Sequence, residues 1–279
     1  MNACDEVCNN NDNISDGMVD THHHHRQLKD VECDGYMFKE WNKAFDRLRH
    51  QHDTWYIFRD FLDMTIDNFT IPGCTPLFTN KDRYTEQEYE WFGDLWTAYV
   101  EAMNEALETR PYYDFLGSWW ESDVNMTNKF KAQFFTPLDV TDIMVQLTLT
   151  DDLSDEPRVM YDCCCGSGRF GLSWNHARPM DYYAFQDLDD YAVKMTIVNM
   201  LMHGMRGVVA HMNTLTRECF WCCRVSPYGD VYGLPYVVPY GVNWVGACSF
   251  LPKMDRRVEA PRPPTKEEVN EGGGLDAWL

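Results

Sequence analysis

The sequence predicts an α/β fold in which a parallel sheet follows a region made of helices. Beyond Lys129, stretches with strand character alternate with stretches of helical periodicity. The resulting β-α-β-α-β order is typical of the first half of a doubly wound sheet. A glycine turn, Gly166 to Gly168, follows the first predicted strand and precedes a helix, as such sheets require.

Each element of the α/β region has its own signal in the sequence. Runs of apolar and aromatic residues indicate the strands, and Gly204 marks the end of the last helix. The predicted elements are a helix at 138–149, a strand at 158–162, a helix from Arg169, a strand at 182–187, a helix at 190–203 and a strand at 207–212.

The region before Lys129 has the apolar spacing of helices. One stripe recurs at intervals of three and four residues and consists of Phe38, Trp41, Phe45 and Leu48. A second helix is expected at 54–68, and Thr85 with Glu88 forms a capping-box pattern before a third. We therefore predict a disordered leader at 1–30, a helical domain at 31–125, an α/β domain at 126–252 and a flexible tail at 253–279.

Composition narrows the function classes. The chain has 279 residues, is 44% hydrophobic and carries a formal charge of −20, which argues against its holding duplex DNA alone, because Lys and Arg provide most nonspecific affinity for phosphates. It contains neither an apolar run long enough for a membrane span nor a signal sequence, so we expect a cytoplasmic protein without membrane contact. Three of the eleven cysteines are consecutive, which favours reduced thiols.

The strongest local motif is Asp162-Cys163-Cys164-Cys165-Gly166-Ser167-Gly168, at the junction of a strand and a helix. Its glycines allow a sharp turn and close approach of a ligand, and the helix after it presents free amides. Asp187 ends the next strand, nineteen residues after Gly168, where a carboxylate can accept hydrogen bonds from ribose hydroxyls. Helix capping is the other role for an acid here, and it suits Asp189 or Asp190 better.

Two motifs together resemble a known family. Gln133-Phe134-Phe135-Thr136-Pro137, followed by the glycine turn at 162–168, resembles the N6-adenine DNA methyltransferases related to the modification subunits of type I restriction systems. Cys163 replaces a proline of the usual motif. The resemblance extends upstream to Phe115-Leu116-Gly117 and downstream to Asn199–Gly204 and Asn213-Thr214-Leu215.

The resemblance implies a Rossmann-like methyltransferase fold with an N-terminal helical domain, S-adenosylmethionine as cofactor and adenine-containing DNA as substrate. Residues matching the family's motifs are expected to contact the cofactor. They are Phe135, Thr136, Pro137, Asp162, Cys164, Gly166, Gly168, Asp187 and Asn213. Asp187 would hold the ribose, and Asn213, which replaces an acid, would bond the adenine of the cofactor.

The family's catalytic tetrapeptide, Asn-Pro-Pro followed by Tyr or Phe, has no match in the chain. The nearest candidate is Ser226-Pro227-Tyr228, in which Tyr228 would stack on an adenine flipped out of the helix. Pro235-Tyr236 and Pro239-Tyr240 are weaker candidates. The alternative for all three is packing of proline and tyrosine in loops, which the sequence favours over a catalytic role.

The 39 residues from Thr214 to Pro252 are too few for the rest of a methyltransferase sheet, so we expect an abbreviated sheet. A second hypothesis is therefore a noncatalytic module, or decoy, that binds cofactor and acts through a protein partner.

Two patterns suggest metals, namely the Cys219, Cys222 and Cys223 cluster and the four histidines at 22–25. Neither has a usual set of ligands, and no metal site is predicted.

Overall fold

The computed structural model describes residues 38–124, 135–149, 156–227 and 235–252. The predicted leader at 1–30 with its histidines, the predicted tail at 253–279, and Tyr228 lie outside these ranges. Within them the chain forms a set of helices followed by a mixed α/β unit with a five-stranded sheet.

The first described part is helical. Its elements are α1 at 38–49, α2 at Thr54–Phe69, a 3-10 turn at Lys81–Arg83, α3 at Glu86–Thr109, α4 at Phe115–Trp119 and a π-helical turn at Trp120–Val124. Asp53 caps α2 by accepting a hydrogen bond from the amide of Trp55. The capping box predicted from Thr85 and Glu88 is confirmed at the start of α3.

The helical part has an aromatic core. The stripe predicted on α1 is buried: Trp41, Phe45 and Leu48 have no exposed surface and Phe38 is 5% exposed. Trp41 meets Trp119 edge to face, with ring centroids 5.4 Å apart, an arrangement that adds to the energy of burial. Packing, and not binding, is therefore the role of this stripe.

The second part alternates helices and strands. Its elements are α5 at Leu138–Thr148, β1 at Val159–Asp162, α6 at Arg169–Ala177, β2 at Tyr182–Asp187, α7 at Asp190–Met202, β3 at Gly207–Asn213, β4 at Glu218–Ser226, β5 at Tyr236–Gly241 and α8 at Trp244–Cys248. The β-α-β-α-β order predicted from the sequence is confirmed, with boundaries shifted by one residue at several ends.

The sheet has the order β1-β2-β3-β4-β5. Strands β1, β2 and β3 are parallel, whereas β4 and β5 are each antiparallel to the strand before. The sheet is therefore mixed, and its second half is a hairpin extension where the sequence suggested only an abbreviated sheet. The carboxyl ends of β1, β2 and β3 all lie at one edge, which brings Asp162, Asp187 and Asn213 to that edge.

Alternate residues of the strands face different layers. Met160, Phe185 and Val209 belong to a large buried cluster with the helices, while Ala184 and Val208 belong to a smaller cluster covered by α8. The large cluster runs without interruption from the first helix into the sheet. The boundary between two domains at residue 125 stays a prediction. The described parts on either side of it share this one buried core.

The helical part contacts α7 through specific pairs. Trp120 stacks on Tyr191 with ring centroids 5.2 Å apart, and Lys194 Nζ lies 2.7 Å from Asp63 Oδ1. These contacts fix the helical part against the sheet.

The part of the chain that the structure describes contains no helix long and apolar enough to cross a membrane. Its eight cysteines are all free, namely Cys74, Cys163, Cys164, Cys165, Cys219, Cys222, Cys223 and Cys248. Among the described side chains, no group of three or more His, Cys, Asp or Glu has the geometry to hold a metal ion.

Candidate functional site

The glycine turn joins β1 to α6 with two glycines in left-handed conformations. Gly166 has φ +56° and Gly168 has φ +89°, values that residues with a Cβ rarely adopt. A Cβ on Gly166 would lie 2.8 Å from the Phe135 ring, and one on Gly168 would lie 3.2 Å from Thr196 Oγ1. Space as well as backbone conformation therefore requires glycine at 166.

Gly168 is also the N-cap of α6. It provides no side chain to the first amides of the helix, which are left for a ligand or for water. The turn is held from within by Asp162, whose Oδ1 accepts a hydrogen bond of 3.0 Å from the amide of Cys164. Burial, with the nearby Asp187 carboxylate, raises the pKa of Asp162 despite that bond.

Asp187 ends β2 and reaches across to the glycine turn. Its Oδ2 accepts from the amide of Gly166 at 2.9 Å, and its Oδ1 accepts from the amide of Asp189 at 2.9 Å. A carboxylate has about four acceptor positions, so two remain. Asp189, not Asp187, caps α7 through the amides of Tyr191 and Ala192, which confirms the capping role that the sequence favoured for Asp189 or Asp190.

Phe135, Thr136 and Pro137 lie directly before α5 and close one side of the turn. Phe135 is buried, and its ring contacts Gly166. Its amide donates to Glu121 Oε1 at 2.6 Å. The Arg169 guanidinium lies 5.4 Å from the centre of the Phe135 ring and 3.4 Å from the carbonyl of Thr136. The structure therefore brings this segment and the glycine turn together, as predicted.

A buried carboxylate from the helical part anchors the turn. Asp114 has no exposed surface. Its Oδ2 accepts from Ser167 Oγ at 2.6 Å and from Arg169 Nε at 2.7 Å. Its Oδ1 accepts from the Asn199 amide at 2.8 Å and from the amide of Gly117 at 2.9 Å. All four of its lone pairs are used, so one side chain links α4, the glycine turn, α6 and α7.

Arg169 is the cation that compensates this buried charge. It pairs with Asp114 and also with Glu121, whose Oε2 lies 2.8 Å from Arg169 Nη2. Burial alone would lower the pKa of Arg169, but the two carboxylates raise it on balance. A charged guanidinium therefore lies behind the glycine turn and holds both Glu121 and the backbone of Thr136.

The cysteines of the turn have unlike surroundings. Cys164 is exposed on the turn, while Cys165 is buried beside Thr196, with a distance of 3.6 Å between Sγ and Oγ1. Burial raises the pKa of the Cys165 thiol well above its usual value. Because the thiolate is the reactive form, Cys165 is a packing residue and not a nucleophile.

Asn213 lies at the end of β3, near the expected position. Its Oδ1 accepts from the amides of Leu215 at 3.1 Å and Thr216 at 3.2 Å. The side chain thus stabilises the turn that leads into β4. This local role is one that the sequence prediction did not include.

The structure does not bring Ser226 and Pro227 to the glycine turn. Val225 pairs with Gly207, the first residue of β3, so Ser226 lies at the amino ends of the parallel strands. β3 spans about 20 Å between that end and Asn213, at about 3.3 Å per residue. Tyr236 pairs with Ser226 and lies at the same end.

Sequence reasoning missed Asp114 and Glu121, which hold the site from the helical part. A signal was present for Asp114, since Asp-x-x-Gly is a helix-capping pattern and the carboxylate accepts from the Gly117 amide. Asn199 also gave a signal, as an amide in a helix that is mostly apolar and is buried from Ala192 to Leu201. No pattern of neighbouring residues indicated that the Asp114 and Asn199 side chains are in contact.

Comparison with known proteins gives one match. A family model described as N-6 DNA methylase matches residues 113–251. The matched range begins one residue before Asp114 and includes the glycine turn, Asp187 and all five strands. No curated protein and no solved structure matches the chain.

Proposed function

Because the chain belongs to the N-6 DNA methylase family over residues 113–251, we propose that it binds S-adenosylmethionine and transfers a methyl group to N6 of adenine in DNA. The family acts on DNA, which makes DNA the substrate to test first. The proposed fold is the Rossmann-like methyltransferase fold, with β4 and β5 as an antiparallel extension.

The observation that carries the proposal is the turn at Gly166. The space where a Cβ would lie is bounded by the Phe135 ring. Acceptor positions on Asp187 and the first amides of α6 are open beside it. An amino-acid moiety with its own carboxylate suits free helix amides, and a ribose suits a carboxylate acceptor. The residues present therefore fit the cofactor.

Each residue has a distinct part in this proposal. Gly166 and Gly168 give close approach, Asp187 accepts from the ribose hydroxyls, and Phe135 to Pro137 close over the methionine end. Asp162 and the exposed Cys164 border the turn. Asn213 would meet the adenine moiety with the NH₂ of its amide, since its oxygen already serves the local turn.

When bound, S-adenosylmethionine supplies an electrophilic methyl group on its sulfonium. The chain's task is orientation, because holding two reactants in line lowers the barrier without further chemistry. Gly166, Phe135 and Asp187 would hold the cofactor so that this methyl group faces the adenine nitrogen, and the methylated amine would lose its proton to solvent. Asp162, half-buried near Asp187, adds negative potential at this end of the sheet.

A second candidate function is cofactor binding without transfer. The position of Ser226, at the end of the sheet opposite the glycine turn, favours it. Neither Ser226 nor Pro227 is assigned to the site, and Tyr228 lies outside the described residues. The role of a decoy that acts through a protein partner follows only if transfer is absent.

Isothermal titration with S-adenosylmethionine, followed by a methyl-transfer assay on adenine-containing DNA, tests both candidates. We expect saturable binding, and N6-methyladenine in the DNA supports the first. Binding without transfer supports the second. An absence of cofactor binding by a folded chain overturns both.

A further inference from the structure

Two adjacent cysteines lie with their sulfurs in contact at the start of the glycine turn. Cys163 and Cys164 follow directly after β1, and their Sγ atoms are 4.0 Å apart. Cys164 is exposed and Cys163 is partly exposed, so solvent reaches both thiols. Among the described side chains, no third His, Cys, Asp or Glu completes a metal site with them. The pair is therefore a dithiol that is open to small reagents.

The other adjacent cysteines of the described chain are arranged differently. Cys222 and Cys223 are neighbours on β4, and successive side chains of a strand point to opposite faces. Cys222 accordingly belongs to the cluster under α8, and Cys223 belongs to the large cluster with the helices. Cys165 is buried beside Thr196. Within the described ranges, two adjacent thiols share one exposed side only in the turn after β1.

The peptide group between Cys163 and Cys164 is held at both of its polar atoms. Its carbonyl, on Cys163, accepts from Thr214 Oγ1 at 3.1 Å, and its amide, on Cys164, donates to Asp162 Oδ1 at 3.0 Å. A disulfide needs a distance of about 2.05 Å between the sulfurs, and the small ring that it closes contains this peptide group. Closing the ring therefore turns the peptide group and weakens both hydrogen bonds.

The same small ring makes the disulfide easy to reverse. Adjacent Cα atoms are about 3.8 Å apart across a trans peptide bond, whereas Cα atoms joined by a disulfide are usually about 4.4–6.8 Å apart. A disulfide between neighbours is consequently strained, and strained disulfides are readily reduced. The dithiol is the form expected under reducing conditions, and the disulfide forms when an oxidant accumulates.

We propose that Cys163 and Cys164 form a reversible dithiol and disulfide pair that reacts with small disulfides such as oxidised glutathione, and that the disulfide form binds S-adenosylmethionine more weakly. The effect on the cofactor rests on the proposed function. Asp162 lies near Asp187, and Gly166 follows two residues after Cys164. A turned peptide group at 163–164 therefore displaces the groups that are expected to contact the cofactor.

The reaction consists of two thiol–disulfide exchanges. The thiolate of the exposed Cys164 attacks one sulfur of the small disulfide, which forms a mixed disulfide and releases one small thiol. The thiolate of Cys163 then attacks the Cys164 sulfur and releases the second small thiol. Two electrons pass from the protein sulfurs to the small disulfide, and the protons of the two protein thiols end on the released thiols.

The rate of this reaction depends on the thiolate of Cys164. Partial burial of the sulfur, the Cys163 thiol and the carboxylates of Asp187 and Asp162 raise the pKa of Cys164. Because the thiolate is the reactive form, the exchange is expected to take hours and not seconds.

The first measurement needs no cofactor. The reduced full chain is incubated with oxidised glutathione, digested and mapped by mass spectrometry. We expect a disulfide between Cys163 and Cys164, seen as the loss of two hydrogen atoms from the peptide that carries both. Cys163→Ala lacks the second thiol, so glutathione should remain attached to Cys164. Cys223→Ala changes the buried pair on β4 and is the matched control, which is expected to form the same disulfide at 163–164.

A trivalent arsenical gives a second measurement that does not require the strained ring. Phenylarsine oxide forms two arsenic–sulfur bonds with a dithiol and releases water. We expect Cys163→Ala and Cys164→Ala each to bind less arsenical than the wild-type chain. The competing site is the hydrogen-bonded pair of Cys219 and Cys222, so Cys219→Ala is measured beside them. A loss of arsenical in Cys219→Ala, with full binding in Cys163→Ala, overturns the proposal.

The third measurement is titration with S-adenosylmethionine. We expect the affinity of the oxidised chain to be about tenfold lower than that of the reduced chain, the scale of one lost hydrogen bond to a charged group. Affinity should recover when dithiothreitol reduces the disulfide.

Two results overturn the proposal: a folded chain that forms no disulfide between Cys163 and Cys164, or equal cofactor affinity of the oxidised and reduced forms. The proposed function fails separately. If the reduced chain does not bind S-adenosylmethionine, the peptide map and the arsenical measurement still decide whether the two cysteines act as a dithiol.

Discussion

The two ends of the parallel strands differ in what their polar residues contact. At the amino ends, cations are stacked on rings: the Arg206 guanidinium lies 4.1 Å from the centre of the Tyr182 ring, and Arg224 lies 5.0 Å from that of Phe250. Arg224 also donates to Tyr236 Oη at 3.1 Å. These side chains stabilise each other and the end of the sheet.

At the carboxyl ends, several polar groups have hydrogen-bonding positions that no other described group uses. Asp187 keeps two acceptor positions, Gln186 keeps its NH₂ donors, and Arg217 has no partner among the described residues. Groups that are paired within the fold contribute to stability, whereas groups with unused hydrogen-bonding positions can accept a ligand. The comparison teaches that the position of a motif in the sheet, as well as its residue types, decides whether it can reach the candidate site.

The largest effect is expected at the anchor between the helical part and the carboxyl ends. Asp114→Ala leaves the Arg169 charge buried with only Glu121, and breaking a buried pair typically costs about 3–5 kcal/mol. Urea unfolding measures the free energy. Asp94→Ala is the control, because its exposed pair with Arg47 contributes under about 1 kcal/mol. Similar losses in the two variants would contradict the anchor.

Gly166→Val should strongly lower the affinity for the cofactor. The side chain would collide with Phe135 and fill the space beside the turn, so we expect affinity for S-adenosylmethionine to fall about a hundredfold, or about 2.7 kcal/mol. Gly241→Val is the matched control: Gly241 has φ +57° but nothing within 4 Å of its Cβ position. It adds the same backbone strain, and unchanged affinity there assigns the loss at 166 to lost space.

Asp187→Ala is expected to weaken cofactor binding by about 1–3 kcal/mol, the scale of hydrogen bonds to a charged group. Titration calorimetry measures the change. Asp189→Ala removes the neighbouring carboxylate, which caps α7, and should lower stability by about 1 kcal/mol with no change in affinity. A larger affinity loss at 189 than at 187 would move the ribose contact to the cap.

Ser226→Ala should have the smallest effect. The hydroxyl lies at the amino ends of the strands, far from the glycine turn, so we expect methyl transfer to change by less than about twofold, or about 0.4 kcal/mol. A loss of tenfold or more in methyl transfer would place catalysis at the amino ends of the strands. Ser226 and its motif would then belong to the active site.

Local signals predicted the elements up to β3. Strands such as β2 are short runs of apolar residues, and α7 ends at a glycine with φ +64°. The hairpin of β4 and β5 was not predicted. Pro239 lies inside β5, where proline normally argues against a strand, and pairing direction depends on contacts distant in sequence.

The candidate site also has a part that the sequence predicted and a part that it did not. The glycine turn and Asp187 have the spacing typical of such sheets, and the family resemblance implied that Phe135 lies near them. The four partners of Asp114 are contributed by residues 117, 167, 169 and 199, which no short pattern connects. The register of β4 was not predicted either, because the position of Ser226 follows from the antiparallel pairing of β4 with β3.

The network around Asp114 has an evolutionary consequence. With every lone pair of the carboxylate in use, no single partner can change without leaving a buried group unsatisfied. Asp114, Arg169 and Asn199 should therefore be inherited as a set. Among relatives, loss of the acid should coincide with loss of the guanidinium, and lineages that retain one without the other should be rare.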